Sequence, residues 1–241
     1  MTDLLVDIGN TRLKWRLQQQ GAVQRSGAML VCDLNMAQLQ AILPEPAGAM
    51  YWASVGDDAQ GLCVAAWAHE KNIPCHQITT QDCWQDLTNG YQQTQQLGVD
   101  RWLAMVAARQ HTRNAVCVVD CGSAITLDYV SAQGHHEGSY IIPGARLMSQ
   151  ALARDTAQIN ITHRALENIH PGTSTAQAVL AGCFQMAHYG VCALVREAQG
   201  RGYEILLCGG DGLAIANELG VTYVEQLVLD GMAQLAGLHQ L

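Results

Sequence analysis

The sequence predicts an α/β protein built from two similar modules, and three observations predict it. The apolar run Leu4-Leu5-Val6 ends in Asp7 and the glycine turn Ile8-Gly9-Asn10-Thr11. A second run, Val116-Cys117-Val118-Val119, ends in Asp120 and a similar turn, Cys121-Gly122-Ser123. After each turn come further strand-like segments, and then helix and strand patterns alternate. Because the same order occurs twice, the boundary falls near residue 114. The expectation is two domains, 1–114 and 115–241, with an active cleft between them.

In the first half, apolar runs and alternation predict strands at 3–8, 13–18 and a short one near 22–26. Lys14-Trp15-Arg16-Leu17-Gln18 alternates, and Gly21 suits the hairpin turn that follows. Helix 33–43, strand 50–55, helix 58–71 and strand 74–78 come next; residues 79–96, rich in Gln and Thr, read as a loop. Helix 98–112 closes the half, with Leu103, Val106, Ala107 and Gln110 on one face. The second half reads strands 115–120 and 124–131, a turn at Gly134, strand 137–142 and helix 145–156. A loop containing Pro171-Gly172 leads to a long helix, 174–198. Strand 204–208, a Gly209-Gly210 turn, helix 212–218, strand 221–225 and helix 227–239 complete the chain.

Composition excludes several classes. A net charge of −8, with only two lysines and eleven scattered arginines, argues against nucleic acid, whose binding rests on rows of cations. An anionic substrate must be met locally, by a metal, helix ends and a few cations. Nine cysteines, an odd number with no C-x-x-C spacing, read as small buried hydrophobes in a reducing compartment. Cys121 differs in position only, since it lies inside the second turn and has no evident base nearby. His135-His136 fall in a glycine-flanked hairpin turn and read as solvated rather than as ligands. No apolar stretch is expected to approach the ~18 residues of a membrane span, and Asp3 follows the start too closely for a signal peptide. The expectation is a cytoplasmic protein with no membrane partner.

The two turns carry the chemistry. Glycine lets the backbone approach a phosphate, turn N–H groups bind the anion, and a carboxylate at the strand end can hold a metal or its waters. Asp7, Gly9, Asn10, Thr11 and Lys14 form the first candidate clamp. On spacing alone, Lys14 is either a phosphate-facing ammonium or a solvated edge-strand lysine. Asp120, Gly122, Ser123, Thr126 and Asp128 form the second, for which a plain hairpin turn is the competing reading. Gly209-Gly210-Asp211-Gly212 either admits an adenine or phosphate against the backbone or is a tight strand-to-helix connection. Asp100 is either a first-turn carboxylate opposing the helix dipole or a base taking a substrate hydroxyl proton, and Arg101 beside it could hold a carboxylate bidentately. There is no Walker-type phosphate loop.

Taken together, these residues resemble the type III pantothenate kinases of the acetate and sugar kinase, heat-shock and actin superfamily, over essentially the whole chain. The family's Asp-x-Gly-Asn-Thr with a following basic residue is met from Asp7 to Lys14, and its Gly-x-Asp-Arg by Gly98, Asp100 and Arg101. Its Asp-x-Gly-Thr-Ala-x-Thr is met at Asp120, Gly122, Ala124 and Thr126, with Ser123 in place of Thr. Its Gly-Gly-x-Ile-x-Pro-Gly appears as Gly138, Ile141, Pro143 and Gly144, with Ser139 replacing the second Gly. Asn89-Gly90-Tyr91 is similar to the family's Asn-x-Tyr region, and Thr175 to Ala178 to its Thr-x-x-Ala helix start.

The resemblance implies two actin-like (ribonuclease H-like) domains and transfer of the γ-phosphate of ATP to pantothenate, giving 4'-phosphopantothenate, the first step towards coenzyme A. It implies ATP binding by residues 7–14, Gly122 and Ser123; pantothenate binding by Tyr91, Gly98, Val99, Asp100, Arg101 and Thr175; and Asp100 as proton acceptor. Asp7 would hold Mg²⁺ and Asp120 a monovalent cation, K⁺ or NH₄⁺. The apolar circumference of the helix from Thr175 agrees with the family's homodimers, the alternative being a helix buried between the chain's own halves. The rival functions are a non-catalytic regulator of the same fold and another phosphotransferase of the superfamily.

Overall fold

A strand with both faces buried organises the first part of the molecule. In this structure, a computed structural model, residues 1–55, 58–155 and 170–238 are described. Strand β1 (Thr2–Ile8) pairs antiparallel with β2 (Arg12–Gln19), which pairs antiparallel with β3 (Ala22–Leu30). On its other edge β1 pairs parallel with β4 (Met50–Ser54), and β4 with β5 (Cys75–Gln77), giving a five-stranded sheet of order β3-β2-β1-β4-β5. Side chains alternate across a strand, so Leu4, Val6 and Ile8 share one face. That face packs with Leu13, Trp15, Trp52, Val64 and Trp67 under α1 (Met36–Ile42) and α2 (Asp58–Glu70).

The opposite face of this sheet is covered by α7 (Leu227–Leu235), which packs on β1, and by α3 (Val99–His111), which packs on α7 and reaches β4. Arg16, cross-strand from Leu5, is 5% exposed; it donates to Asp230 Oδ1 at 2.5 Å and to the Leu229 carbonyl at 2.8 Å. A Cβ at Gly231 would overlap the Leu103 carbonyl, so the two helices meet backbone to backbone only because that position is glycine.

The second sheet repeats the first. Strand β8 (Val116–Cys121) pairs antiparallel with β9 (Ala124–Val130) and parallel with β11 (Glu204–Cys208). With β10 (His136–Pro143) and β12 (Thr222–Tyr223) the order is β10-β9-β8-β11-β12, the order of the first sheet again. Its helices are α4 (Ala145–Asp155), α5 (Thr175–Gly200) and α6 (Gly212–Leu219). The expected alternation of strand and helix is therefore present in both parts.

The two compact units are not continuous halves. One comprises Met1–Arg113, Ser131–Glu137 and Gln226–Leu241; the other Asn114–Val130 and Gly138–Glu225. Helix α7 joins the first unit because Leu227, Leu229 and Met232 are buried on that side, beside α3 and β1.

Several elements differ from expectation. Strand β3 runs to Leu30 rather than 26, since its polar residues remain ladder-paired to β2 as far as Arg12↔Leu30. The helix expected at 33–43 is a 3₁₀ turn, Val31–Asp33, followed by α1, and Asn35 separates them as a cap whose Oδ1 accepts from Gln38 N at 3.1 Å. The stretch 79–96 contains a small hairpin, β6 (Cys83–Trp84) with β7 (Leu87–Thr88), and a 3₁₀ turn, Thr94–Gln96. Asp86 fastens that hairpin by accepting from the buried Arg109 and from Arg113, each at 2.5 Å. Burial pulls the Asp86 carboxyl up, but the two guanidinium hydrogen bonds outweigh it and hold the pKa below its ordinary value. The helix ends expected at 156 and 239 and the loop residues 157–169 lie outside the described residues.

Helix α5 corrects the expectation about membrane-length segments. It contains an 18-residue window of mean hydropathy 1.6, long and apolar enough by composition to cross a membrane. Its Ala181, Cys183, Ala187, Val191, Cys192, Val195 and Ala198 are buried, several of them in one cluster with β8, β9 and β11. The hydropathy reflects that buried stripe together with exposed apolar residues such as Met186.

Candidate active site

The first turn places a carboxylate and an ammonium on one face of a sheet. Asp7 is 7% exposed at the end of β1 and lies directly cross-strand from Lys14 in β2. The turn closes through Gly9 N donating to Arg12 O at 3.0 Å, and a Cβ at Gly9 would press on that same oxygen at 3.2 Å. Asn10 at the tip is exposed and Thr11 half-buried, with the Thr11 carbonyl accepting from Val31 N at 3.0 Å.

The start of α3 gathers the second set in the same unit. Gly98 is the cap residue, and a Cβ there would meet Asp100 Oδ1 at 2.6 Å. With glycine in that position the Asp100 carboxylate folds back to accept from Arg101 N at 2.8 Å. The Arg101 side chain is 7% exposed, donates to Tyr91 Oη at 3.0 Å and lies 5.5 Å from the ring centroid. Asn89 Oδ1 accepts from Tyr91 N at 2.9 Å and so orients that residue. Tyr91, Gly98, Val99, Asp100 and Arg101, singled out from the sequence, are thus neighbours, although a long connection separates Tyr91 from the helix.

His136 belongs with them and corrects the reading of both histidines as solvated. Its ring is 1% exposed and stacks on Tyr91 with centroids 5.7 Å apart, whereas His135 is exposed. The cause is the turn at Gly134, with φ +82°, which folds the hairpin over Asp86 and pairs His135 with Thr88. Gly90 completes the fit, since any Cβ there would overlap the His136 carbonyl. A histidine ending a hairpin beside glycine-rich turns is a signal too weak to find this from sequence.

The second unit carries the other turn. Asp120 ends β8, with Thr126 as its cross-strand partner. Gly122 N donates to Ala124 O at 3.2 Å, and Gly144 N, at the start of α4, donates to Ser123 O at 3.0 Å. Ser123 Oγ accepts from Arg146 Nη2 at 3.0 Å. Sequence reasoning passed over Arg146, yet a cation in the first turn of a helix opposes the dipole and is a usable sign of an outside partner. The Gly209-to-Gly212 loop packs onto this turn. Gly209 has φ +87°, any Cβ there would clash with the Asp120 carboxylate, and Asp211 N donates to Cys121 O at 3.2 Å. Burial, then the Asp120 and Asp211 carboxylates, push the Cys121 thiol up to about 12, so it stays a neutral thiol at physiological pH.

Thr175 is the first residue of α5, capped by Ser174, whose Oγ accepts from Gln177 N at 3.3 Å. It borders an apolar groove of about 690 Å³ between α4 and α5, lined by Pro143, Leu147, Leu152, Val179 and Met186 among others.

A twice-repeated five-stranded mixed sheet with an Asp-x-Gly turn at each central strand defines an actin-like, ribonuclease H-like fold. Comparisons with known proteins agree and make the assignment particular. The family model for type III pantothenate kinase matches residues 3–197. A type III pantothenate kinase of Hahella chejuensis is 34% identical, covering 98% of each chain, and one of Pseudomonas aeruginosa is 35% identical, covering 95% of this chain and 97% of that one. Among solved structures, a Sinorhizobium meliloti protein provisionally assigned as a 2-dehydro-3-deoxygalactonokinase superposes with TM-score 0.59 at 14% identity, covering 97% of this chain and 95% of the other. The ethanolamine utilization protein EutJ of Carboxydothermus hydrogenoformans gives 0.53 at 13%, covering 97% and 89%. The chain belongs to the type III pantothenate kinase family, and its function is that of the family: pantothenate kinase in coenzyme A biosynthesis.

Proposed function

We propose that the chain transfers the γ-phosphate of ATP to the primary hydroxyl of pantothenate, with Asp100 as the proton acceptor. The observation that carries this is the cluster of Asp100, Arg101 and Tyr91 at the start of α3. Asp100 takes the proton as the hydroxyl oxygen attacks phosphorus, ADP departs, and 4'-phosphopantothenate results. Arg101, held by Tyr91, offers a planar fork to the pantothenate carboxylate. Gly98 and Val99 shape the approach, and His136 fixes the Tyr91 ring.

Asp7, Gly9, Asn10, Thr11 and Lys14 bind the nucleotide phosphates, with Gly122 and Ser123 at the second turn. Mg²⁺, held at Asp7, would neutralise phosphate charge; the nearly buried carboxylate facing Lys14 suits a hard, oxygen-ligated ion. The Asp120 carboxylate, beside the Cys121 carbonyl and the Gly209 backbone, offers oxygen donors suited to K⁺ or NH₄⁺. Nine cysteines without a disulfide support a reducing, cytoplasmic setting. Exposed Leu147, Leu152 and Met186 on α4 and α5 support a homodimer formed through that face, with Thr175 at its edge. A coupled ATP-consumption assay tests the reading: turnover with pantothenate and none with sugars supports it, and turnover with sugars alone replaces it with another phosphotransferase.

A further inference from the structure

In the second unit, far along the chain from both turns, three potential ligands of different chemistry converge. His188 and Cys192 stand four residues apart on α5 and so share one face of the helix. Glu218, near the end of α6, reaches them from the neighbouring helix. His188 Nε2 lies 2.8 Å from Glu218 Oε2, Cys192 Sγ lies 3.8 Å from His188 Nε2 and 3.9 Å from Glu218 Oε1, and all three ligand atoms lie within 4.8 Å of one another.

We propose that His188, Cys192 and Glu218 form a binding site for a borderline-soft divalent transition metal of the Zn²⁺ or Co²⁺ class. Metal–ligand lengths of about 2.3 Å to sulfur and 2.0–2.1 Å to nitrogen and oxygen in a tetrahedron set sulfur-to-nitrogen separations near ~3.6 Å and nitrogen-to-oxygen near ~3.3 Å. The two sulfur separations already match within a few tenths of an ångström. The His188 contact is made by the other carboxylate oxygen, Oε2, so the Glu218 carboxylate must turn to present one oxygen to the ion, and Glu218 is a long, exposed side chain able to do so. The thiol selects against Mg²⁺ and Ca²⁺, which take oxygen ligands. The imidazole is already oriented: Phe184 stacks on it at 6.0 Å and 15°, and Tyr189 meets it edge-on at 5.5 Å. Binding needs Nε2 unprotonated, with the ring proton on Nδ1, and releases the Cys192 proton to solvent. Arg196, whose Nη2 is 3.8 Å from Glu218 Oε1, competes for the carboxylate and must swing aside or hold its outer oxygen.

The bound metal would tie α5 to α6. Helix α6 starts at the glycine loop packed on Asp120 and Cys121, so its far end and that loop would be fixed together. Among the described residues three protein ligands converge, which leaves the rest of the coordination sphere to water.

The test is titration of the full-length chain with Co²⁺, in a Cys32→Ser, Cys83→Ser background that removes the exposed thiols. A near-ultraviolet thiolate-to-cobalt band should appear at one equivalent, and Zn²⁺ should abolish it and raise the melting temperature. His188→Ala and Glu218→Gln should each weaken binding by more than the roughly 10–100-fold that loss of an outer-shell partner costs. Cys192→Ser should remove the band. If that buried substitution unfolds the chain, Glu218→Gln, at an exposed position, carries the test, with circular dichroism reporting the fold. Absence of the band in the parent, or a band of unchanged affinity in Glu218→Gln, overturns the site. Kinase activity is not the readout, so failure here leaves the pantothenate kinase reading untouched.

Discussion

The two Asp-x-Gly turns sit on sheets of one strand order, yet they are built differently. In the first, Ile8 and Leu13 flank four turn residues, and Asp7 faces Lys14 directly across the ladder. In the second, Cys121 and Ile125 flank three, Asp120 faces Thr126, and the cation comes from outside the hairpin, as Arg146 of α4 on Ser123. A glycine loop then presses on the Asp120 carboxylate. With four turn residues Asp7 meets the residue seven positions on, Lys14, whereas with three Asp120 meets the residue six positions on, Thr126. The lesson is that a duplicated scaffold fixes where charge can be placed, while turn length and a single cross-strand pair decide which charge it is.

The first unit also holds the α3 cluster, to which the proposed proton transfer belongs. Asp100→Asn should lower kcat by about 10²–10⁴-fold, the usual worth of a positioned base, while ATP binding measured by calorimetry stays within a few-fold of the parent. Near-normal turnover would end the assignment of Asp100.

The next experiment sets the turns against each other. Lys14→Ala should reduce kcat/KM for ATP by roughly 10–150-fold, from the 1.5–3 kcal/mol of a hydrogen bond to a charged group. Arg146→Ala removes the donor to Ser123 Oγ, and at about 1 kcal/mol for that bond should cost nearer fivefold. Equal losses would remove the functional difference between the turns.

How much of this was legible in the chain depends on the distance over which the signal travels. Strand β1, its turn and the strand carrying Lys14 are one continuous phrase and could be read directly, whereas the choice between a phosphate-facing and a solvated Lys14 needed the register that sets it opposite Asp7. The cap at Gly98 and the neighbouring Asp100-Arg101 pair are equally local. The Arg101–Tyr91 bond was legible only through the family's motif, because the intervening 3₁₀ turn and loop carry no periodicity. His136 and Arg146 act through contacts made by distant parts of the chain, and the sequence pattern around each is ordinary. The return of α7 to the first unit depends on Gly231 meeting Leu103, a fit of shape that composition does not encode.

Subunit mixing sharpens the comparison for Thr175, the one proposed substrate residue outside the first unit. Asp100→Asn chains and chains carrying Thr175→Trp should each be nearly inactive. If Thr175 acts across a two-fold interface, a mixed dimer has one site with both lesions and one with neither. Half the dimers from an equal mixture are mixed, so co-refolding should restore roughly a quarter of the parent activity. No recovery despite demonstrated subunit exchange would place Thr175 in its own subunit's site.

The smallest effect expected comes from the second turn's own carboxylate. Asp7 has an ammonium across the ladder, whereas Asp120 has a hydroxyl there, with the Gly209 backbone against its oxygens. A large, weakly hydrated cation suits a site of carboxylate and carbonyl oxygens where the packed loop leaves little room for a retained hydration shell, and Na⁺ holds its water more tightly. Rates at saturating ATP and Mg²⁺ should therefore be a few-fold higher in potassium or ammonium chloride than in sodium chloride of equal ionic strength. Asp120→Asn should flatten the three salts to one value, because the amide keeps the shape but not the charge. The same salts should leave the residual rate of Lys14→Ala with its potassium preference intact, since that substitution alters the other turn. Equal rates in sodium and potassium for the parent chain would remove the cation from Asp120 and leave that carboxylate a structural partner of the glycine loop.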